Sequence, residues 1–197
     1  MTSESNVTRK SVFSTRYMAE AAIIAAIYVV LVLIWPFSSG VVQVRLAEAL
    51  SVLPFFTPAA VAGVTIGCLI ANLVTGLAWQ DVVFGTLASF IGVLFGYIIS
   101  RYFKNSALKR KDDTSASLSS IEKKLMGIPV GMLLTPIPTV LSNMLIIPPV
   151  IRFAYADATP IWFLIITVGA GEIISAEILG VMLGIAMNKR RNIILSK

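Results

Sequence analysis

The sequence contains no histidine, a single cysteine and few charged residues, which make up 13% of its 197 positions. Without histidine, the chain lacks the commonest acid–base catalyst and most patterns of metal ligands, so we expect neither a metal site nor a cofactor. Cys68 alone cannot form an internal disulfide, and its place in an apolar stretch is typical of a small packed residue. No GxxxxGKS or GxxxxGKT sequence occurs, so the chain has no P-loop for ATP hydrolysis. No internal repeat is evident either, which disfavours an independent secondary transporter.

Apolar residues dominate what is present. The hydrophobic share is 57% and the mean hydropathy is +0.88. A soluble core of 21.2 kDa cannot bury that much apolar surface, so the composition predicts an integral membrane protein. The length fits one compact helical bundle without a second domain.

Positive charge is confined to three short regions. Of 16 Lys and Arg residues, 14 lie in the ranges 9–16, 101–124 and 189–197. Loops on the cytoplasmic side retain Lys and Arg, so all three regions should be cytoplasmic, with an even number of crossings between them. The clusters border apolar spans, so lipid contact and orientation explain the net charge of +6, and we expect no nucleic-acid partner.

The apolar stretches divide into six predicted membrane helices with both termini in the cytoplasm. They run over about 17–36, 41–56, 58–77, 82–99, 125–147 and 160–187. Pro58 suits the first turn of the third helix, 79–81 reads as a short loop, and Pro148 with Pro149 should end the fifth helix. We therefore predict a cytoplasmic tail over 1–16, a transmembrane domain over 17–187 with a cytoplasmic linker at 101–124, and a basic tail over 188–197.

Several polar side chains gather toward the outer half of the predicted bundle. They are Arg45, Glu48, Asn72, Trp79, Asp81, Asn143 and Glu172. Polar and ionisable groups inside a span are costly and usually functional, so the pattern predicts a binding pocket that opens outward. Two simpler explanations stay open. Arg45 and Glu48, three residues apart, could only neutralise each other, and Asn72 could only bond a neighbouring helix.

Small residues recur at a spacing of four. GxxxG patterns begin at Gly63, Gly92, Gly127 and Gly180, and they favour close packing within the bundle over a dimer face. A separate stripe of alanines, formed by Ala21, Ala22, Ala25 and Ala26, lies near the cytoplasmic end of the first helix. Such a stripe packs equally well inside the bundle or against a partner helix.

The stretch from Val41 to Asn72 resembles a known transporter family. The run VVQVRLAEALSVLPFFTPAAVAG and the following GCLIANL resemble the signature of the QueT family, as does DVVFGT at 81–86. These proteins are substrate-binding S components of energy-coupling factor (ECF) transporters and are assigned to queuosine precursors. The resemblance covers about 17–187 and implies a six-helix, multi-pass protein in the plasma membrane of a prokaryote. It implies a transmembrane scaffold subunit and two ABC ATPases as partners, and delivery of substrate by toppling of the bundle.

The resemblance also implies roles for individual residues. The alanine stripe would dock on the scaffold subunit. A 7-deazaguanine such as preQ1, preQ0 or queuine would offer N–H donors to Glu48 or Glu172 and an O6 acceptor to Arg45 or Asn72. Its flat ring would stack on Trp79 or Phe37, and an aminomethyl group would suit Asp81.

Two other functions remain open at this point. The same architecture could capture a different vitamin-like nutrient. Less favoured is an intramembrane enzyme with Glu172 and Glu177 as acid and base, since histidine and a metal-binding motif are missing.

Overall fold

The computed structural model describes residues 14–35, 44–109 and 128–195, and its regular elements there are helices. In chain order they are α1 (Thr15–Ile34), a 3-10 helix (Leu46–Phe55), α2 (Ala59–Val74), α3 (Trp79–Lys109), α4 (Val130–Leu134), α5 (Ile137–Ala154), α6 (Ile161–Glu172), a π-helical segment (Ile173–Leu179) and α7 (Gly180–Leu195). Residues 1–13 of the tail predicted over 1–16, Phe37 and most of the charged linker fall outside the described residues.

The helices match a six-span membrane bundle. Four stretches are long and apolar enough to cross a bilayer, namely Thr15–Ile34, Trp79–Asn105, Val130–Ala154 and Ile161–Lys189. The 3-10 helix and α2 are shorter apolar helices and bring the count in the described ranges to six. The predicted all-α membrane architecture is therefore confirmed, while the cytoplasmic placement of both termini stays a prediction.

The 3-10 helix forms the centre of the bundle. It packs against α1, α2, α3, α7 and the π-helical segment. Between Ala47 and Phe55 every side chain except that of Ala49 is buried, as expected for a helix that is enclosed on all sides. A 3-10 helix rises about 2.0 Å per residue, so ten residues reach about 20 Å, which an α-helix of that length would not. The short second span therefore covers a longer distance along the bundle, from Arg45 at its start to Pro54 near its end.

Glycines allow the helices to approach closely, as the GxxxG spacing predicted. A Cβ atom at Gly63 or Gly67 of α2 would lie 2.7 Å from the Cβ of Ile24 or Tyr28 of α1. On the other side of the bundle, a Cβ at Gly96 of α3 would lie 2.4 Å from the backbone oxygen of Thr135. The described glycine pairs therefore serve packing inside one chain.

We expect Gly96→Ala to destabilise the bundle. The added methyl group would meet backbone rather than a flexible side chain, and such overpacking costs about 1–3 kcal/mol. Gly169→Ala is the matched control, because its Cβ would contact only the Met144 side chain, with the sulfur 3.1 Å away. Thermal unfolding of the detergent-solubilised variants measures the effect. Equal midpoints for the two variants would contradict a packing role for Gly96.

Helix α3 is longer than predicted at both ends. Its first turn includes the predicted loop 79–81, since the amides of Asp81 and Val82 donate to the Ala78 carbonyl. An acidic residue in that turn is favourable beside the positive end of the helix dipole. At the other end, Ser100 donates to the Pro54 carbonyl and Lys104 to the Phe55 carbonyl. These bonds tie the helix to the end of the 3-10 helix, so the stretch predicted as the start of the linker continues as helix to residue 109.

Two further boundaries differ from the sequence expectation. Pro148 and Pro149 do not end the fifth span, because α5 continues to Ala154. Bundles in membranes tolerate such prolines where neighbouring groups compensate for the lost backbone bonds. The sixth span is not a uniform α-helix, since seven residues after Glu172 are π-helical. Short π-helical segments occur frequently at functional sites.

Candidate functional site

Five of the predicted site residues meet in the interior of the bundle. They are Arg45 and Glu48 of the 3-10 helix region, Asn72 of α2, Asn143 of α5 and Glu172 at the end of α6, called the polar cluster below. Each side chain is at most 6% exposed. Charged and amide groups from four separate chain segments thus lie together in one buried location. Their convergence was predicted from the polar residues within the spans.

Arg45 is directed at Asn72 rather than at its sequence neighbour Glu48. Its Nη2 donates to Asn72 Oδ1 at 2.8 Å. Glu48 and Glu172 are close enough to act electrostatically on the guanidinium group, yet Arg45 forms no ion pair with Glu48. Arg45 and Glu48 thus interact through their charges without forming a direct ion pair. The two groups are held by different partners and both face the cluster.

Glu48 is held by two residues that the sequence analysis missed. The hydroxyl of Tyr28 in α1 donates to Glu48 Oε1 at 2.6 Å, and Ser89 Oγ of α3 donates to the same oxygen at 3.4 Å. Tyr28 is fully buried. The sequence gives one indication of this role, namely a tyrosine in the middle of an apolar span, because a buried phenol needs a hydrogen-bond partner.

The single cysteine lies against the polar cluster. Cys68 Sγ accepts from Asn72 Nδ2 at 3.5 Å and from Ser89 Oγ at 3.4 Å. Its side chain is fully buried. The sulfur thus packs against the side-chain amide of Asn72, which also accepts the hydrogen bond from Arg45. This position agrees with the expected role of Cys68 as a packed residue.

Several buried atoms of the cluster have no hydrogen-bond partner among the described residues. They are Arg45 Nε, Glu48 Oε2, Asn143 Nδ2 and Glu172 Oε2, with the hydroxyls of Ser51 and Ser175 nearby in the 3-10 and π-helical segments. A buried polar atom without a partner costs about 1–3 kcal/mol, and more when charged. Donors and acceptors of both kinds converge here, so the arrangement suits a small polar ligand with a mixed hydrogen-bonding edge.

Asp81 borders the cluster on the side of the loop between α2 and α3. A Cβ atom at Gly85 would lie 3.2 Å from Asn72 Nδ2 and 3.4 Å from Asp81 Oδ1, so a larger residue there would crowd these two groups. The Tyr155 hydroxyl donates to Asp81 Oδ2 at 3.0 Å and accepts from the Ala78 amide. Partial burial and the Asp81 carboxylate raise the pKa of the Tyr155 phenol above its ordinary value. Asp81 therefore links the cluster to the loop that follows α5.

Trp79 does not join the cluster. It is the first residue of α3, and its side chain is 68% exposed. The prediction placed it in a loop over the pocket, but the early start of α3 turns it outward. An outward tryptophan at a helix end fits an interfacial position in the membrane better than ring stacking with a ligand.

The predicted alanine stripe divides between two faces of α1. Ala21 and Ala25 are buried, and their backbone oxygens lie against Gly63 and Gly67 of α2. They therefore pack inside the bundle and offer no exposed surface to a partner. Ala22 and Ala26 are exposed. Only this second pair retains the surface position that the docking prediction requires.

Glu177 does not share the site of Glu172. Glu172 lies beside Asn143 and close to Glu48 and Arg45. Glu177 is half-buried, and no charged side chain of the described residues interacts with it. The two carboxyl groups thus have separate surroundings, whereas an acid–base pair would need to act on one substrate atom. This separation removes the geometric support for an intramembrane enzyme.

Comparison with known proteins agrees with the resemblance found in the sequence. The profile of a family described as QueT transporter matches residues 18–189. A curated protein of Lactococcus lactis subsp. cremoris strain MG1363, described as queuosine precursor transporter QueT, is 35% identical over 86 residues. The match covers 42% of this chain and 50% of the relative, so the chain spans about half the length of the curated relative it matches. No solved structure matches the chain.

Proposed function

Because the chain belongs to the QueT transporter family, we propose that it is the substrate-binding S component of an ECF transporter and that it captures a queuosine precursor. The bundle takes up a 7-deazaguanine from outside the cell and delivers it inward. Its setting is the plasma membrane of a prokaryote. The name of the Lactococcus lactis relative supports this class of substrate.

The polar cluster is the observation that carries the proposal. A 7-deazaguanine presents N–H donors beside an O6 acceptor on one edge of a flat ring. Glu48 and Glu172 supply carboxylate acceptors, while Arg45 and Asn143 supply N–H donors without a partner among the described residues. Charge-assisted hydrogen bonds of this kind are about twice as strong as neutral ones. The chemistry of the cluster therefore complements the edge of the proposed ligand.

The proposal requires other subunits that hydrolyse ATP. The sequence has no P-loop, so the energy of uptake has to come from other subunits. We propose a transmembrane scaffold subunit and two ABC ATPases in that role, with the loaded bundle toppling in the membrane. The exposed pair Ala22 and Ala26 is the surface of α1 that we assign to the scaffold.

We expect the purified protein to bind a 7-deazaguanine and not an unrelated vitamin. Calorimetric titration of preQ1, queuine and preQ0 measures affinity, with riboflavin and biotin as controls of the alternative nutrient class. Binding of at least one deazaguanine, without competition from the vitamins, supports the proposed substrate. Binding of a vitamin and of no deazaguanine would contradict it and favour the other nutrient class.

A further inference from the structure

Carboxyl groups outnumber cations among the buried ionisable side chains of the described residues. Four charged side chains of the described residues are buried, and only one of them is positive. They are Arg45, Glu48, Asp81 and Glu172, each at most 6% exposed. Uncompensated charge inside a membrane bundle is costly, and buried carboxylates are normally paired with a cation. The site thus has more carboxyl groups than its own arginine can pair with.

Among the described residues, no second cation near the predicted outer end of the bundle is available to compensate. The segment 36–43, which leads into the 3-10 helix, contains no Lys or Arg in its sequence. Arg152 is the remaining arginine near the outer end, and its Nη1 donates to the Thr159 carbonyl at 2.8 Å. It also lies near Asp157 in the loop before α6. Arg152 is therefore engaged at the surface.

The three carboxylates differ in how far they are already satisfied. Glu48 accepts from Tyr28 and Ser89, and Asp81 accepts from Tyr155. Glu172 lies beside the Asn143 amide and close to Glu48 and Arg45, and its buried Oε2 has no hydrogen-bond partner in the described part of the chain. Glu172 is therefore the carboxyl group best placed to bind a positively charged group of a ligand.

We propose that the ligand of the polar cluster carries a positively charged amine and that Glu172 receives it. The inference rests on the proposed function and narrows its substrate class to aminomethyl-bearing deazaguanines such as preQ1 and queuine. An ammonium group donates charge-assisted hydrogen bonds to a carboxylate, whereas the nitrile of preQ0 supplies no charge. Arg45 and Asn72 then face the opposite, carbonyl-bearing part of the ring.

The test compares ligands that differ in charge but hardly in size. preQ1, its neutral 7-hydroxymethyl analogue and preQ0 are titrated calorimetrically into the full-length protein in detergent. We expect preQ1 to bind roughly tenfold to hundredfold more tightly than the hydroxymethyl analogue, the range for a hydrogen bond between charged groups. Glu172→Gln should abolish this preference, so that the variant binds preQ1 and the hydroxymethyl analogue with equal affinity. Glu177→Gln, the same change five residues along the same span, is the control and should retain it.

The outcomes separate the inference from the proposed function. Equal affinity of the wild-type protein for preQ1 and the hydroxymethyl analogue overturns the charge inference and leaves the deazaguanine assignment intact. Failure of all three compounds and of queuine to bind overturns both. A preference for preQ1 that persists in Glu172→Gln overturns the role of Glu172. The wild-type comparison needs no variant, so it decides the charge question even if Glu172→Gln fails to fold.

Discussion

Arg45→Ala is expected to weaken binding of a queuosine precursor roughly hundredfold, the upper range for losing a charge-assisted hydrogen bond. The change removes the one buried cation among the described residues and leaves Glu48 and Glu172 as neighbouring carboxyl groups without a positive partner there. Removing one partner of buried charges typically costs about 3–5 kcal/mol, so the thermal midpoint of the variant should fall as well. Calorimetric titration and thermal unfolding in detergent measure the two effects.

Arg45→Lys separates the loss of charge from the loss of geometry. Lysine keeps the positive charge but loses the planar fork that reaches Asn72, so we expect a folded protein with an intermediate affinity. Arg152→Ala is the matched control, because it removes the arginine that bonds the Thr159 carbonyl at the surface. Arg45→Lys with wild-type affinity, or an equal loss in Arg152→Ala, would exclude a specific role for Arg45 in binding.

Five of the polar residues that meet in the bundle could be predicted from the sequence. Arg45, Glu48, Asn72, Asn143 and Glu172 stand out because a charged or amide side chain in an apolar span has few inexpensive positions other than a shared interior. Their depth in the membrane stays a prediction, made from helix length and from the expected direction of the spans. Close packing of the glycine pairs was predictable for a similar reason, since glycines spaced by four form a continuous groove on one helix face.

Other features depend on tertiary context that a single sequence does not carry. Tyr28 and Ser89 are ordinary residues for an apolar helix, and only the position of Glu48 opposite them gives them a role. The 3-10 and π-helical conformations arise from packing at the centre of the bundle, where the two segments contact each other. Local composition favours an α-helix in both cases. Trp79 was misplaced because the start of a helix at a turn is poorly defined by apolar periodicity.

Leucine at the exposed alanines of α1 is expected to abolish uptake without affecting ligand binding. Ala22 and Ala26 present a smooth surface, and a large side chain there would hold a scaffold helix at a distance. Ala22→Leu and Ala26→Leu should therefore bind a deazaguanine with wild-type affinity, since neither residue touches the polar cluster. In cells that also produce the scaffold and ATPases, both variants should fail to accumulate substrate and to co-purify with the scaffold.

Two control variants make this result specific to one face. Ala170→Leu places the same side chain on an exposed position of α6, so it should leave uptake and co-purification unchanged. Ala25→Leu changes a residue in the buried contact with α2, where a Cβ atom at Gly67 would lie 3.0 Å from the Ala25 backbone oxygen. This variant should lower the thermal midpoint instead. Co-purification of the scaffold with Ala22→Leu at the wild-type level would show that this face of α1 is not the docking surface. Loss of co-purification in Ala170→Leu as well would point to a general effect of added bulk in the membrane.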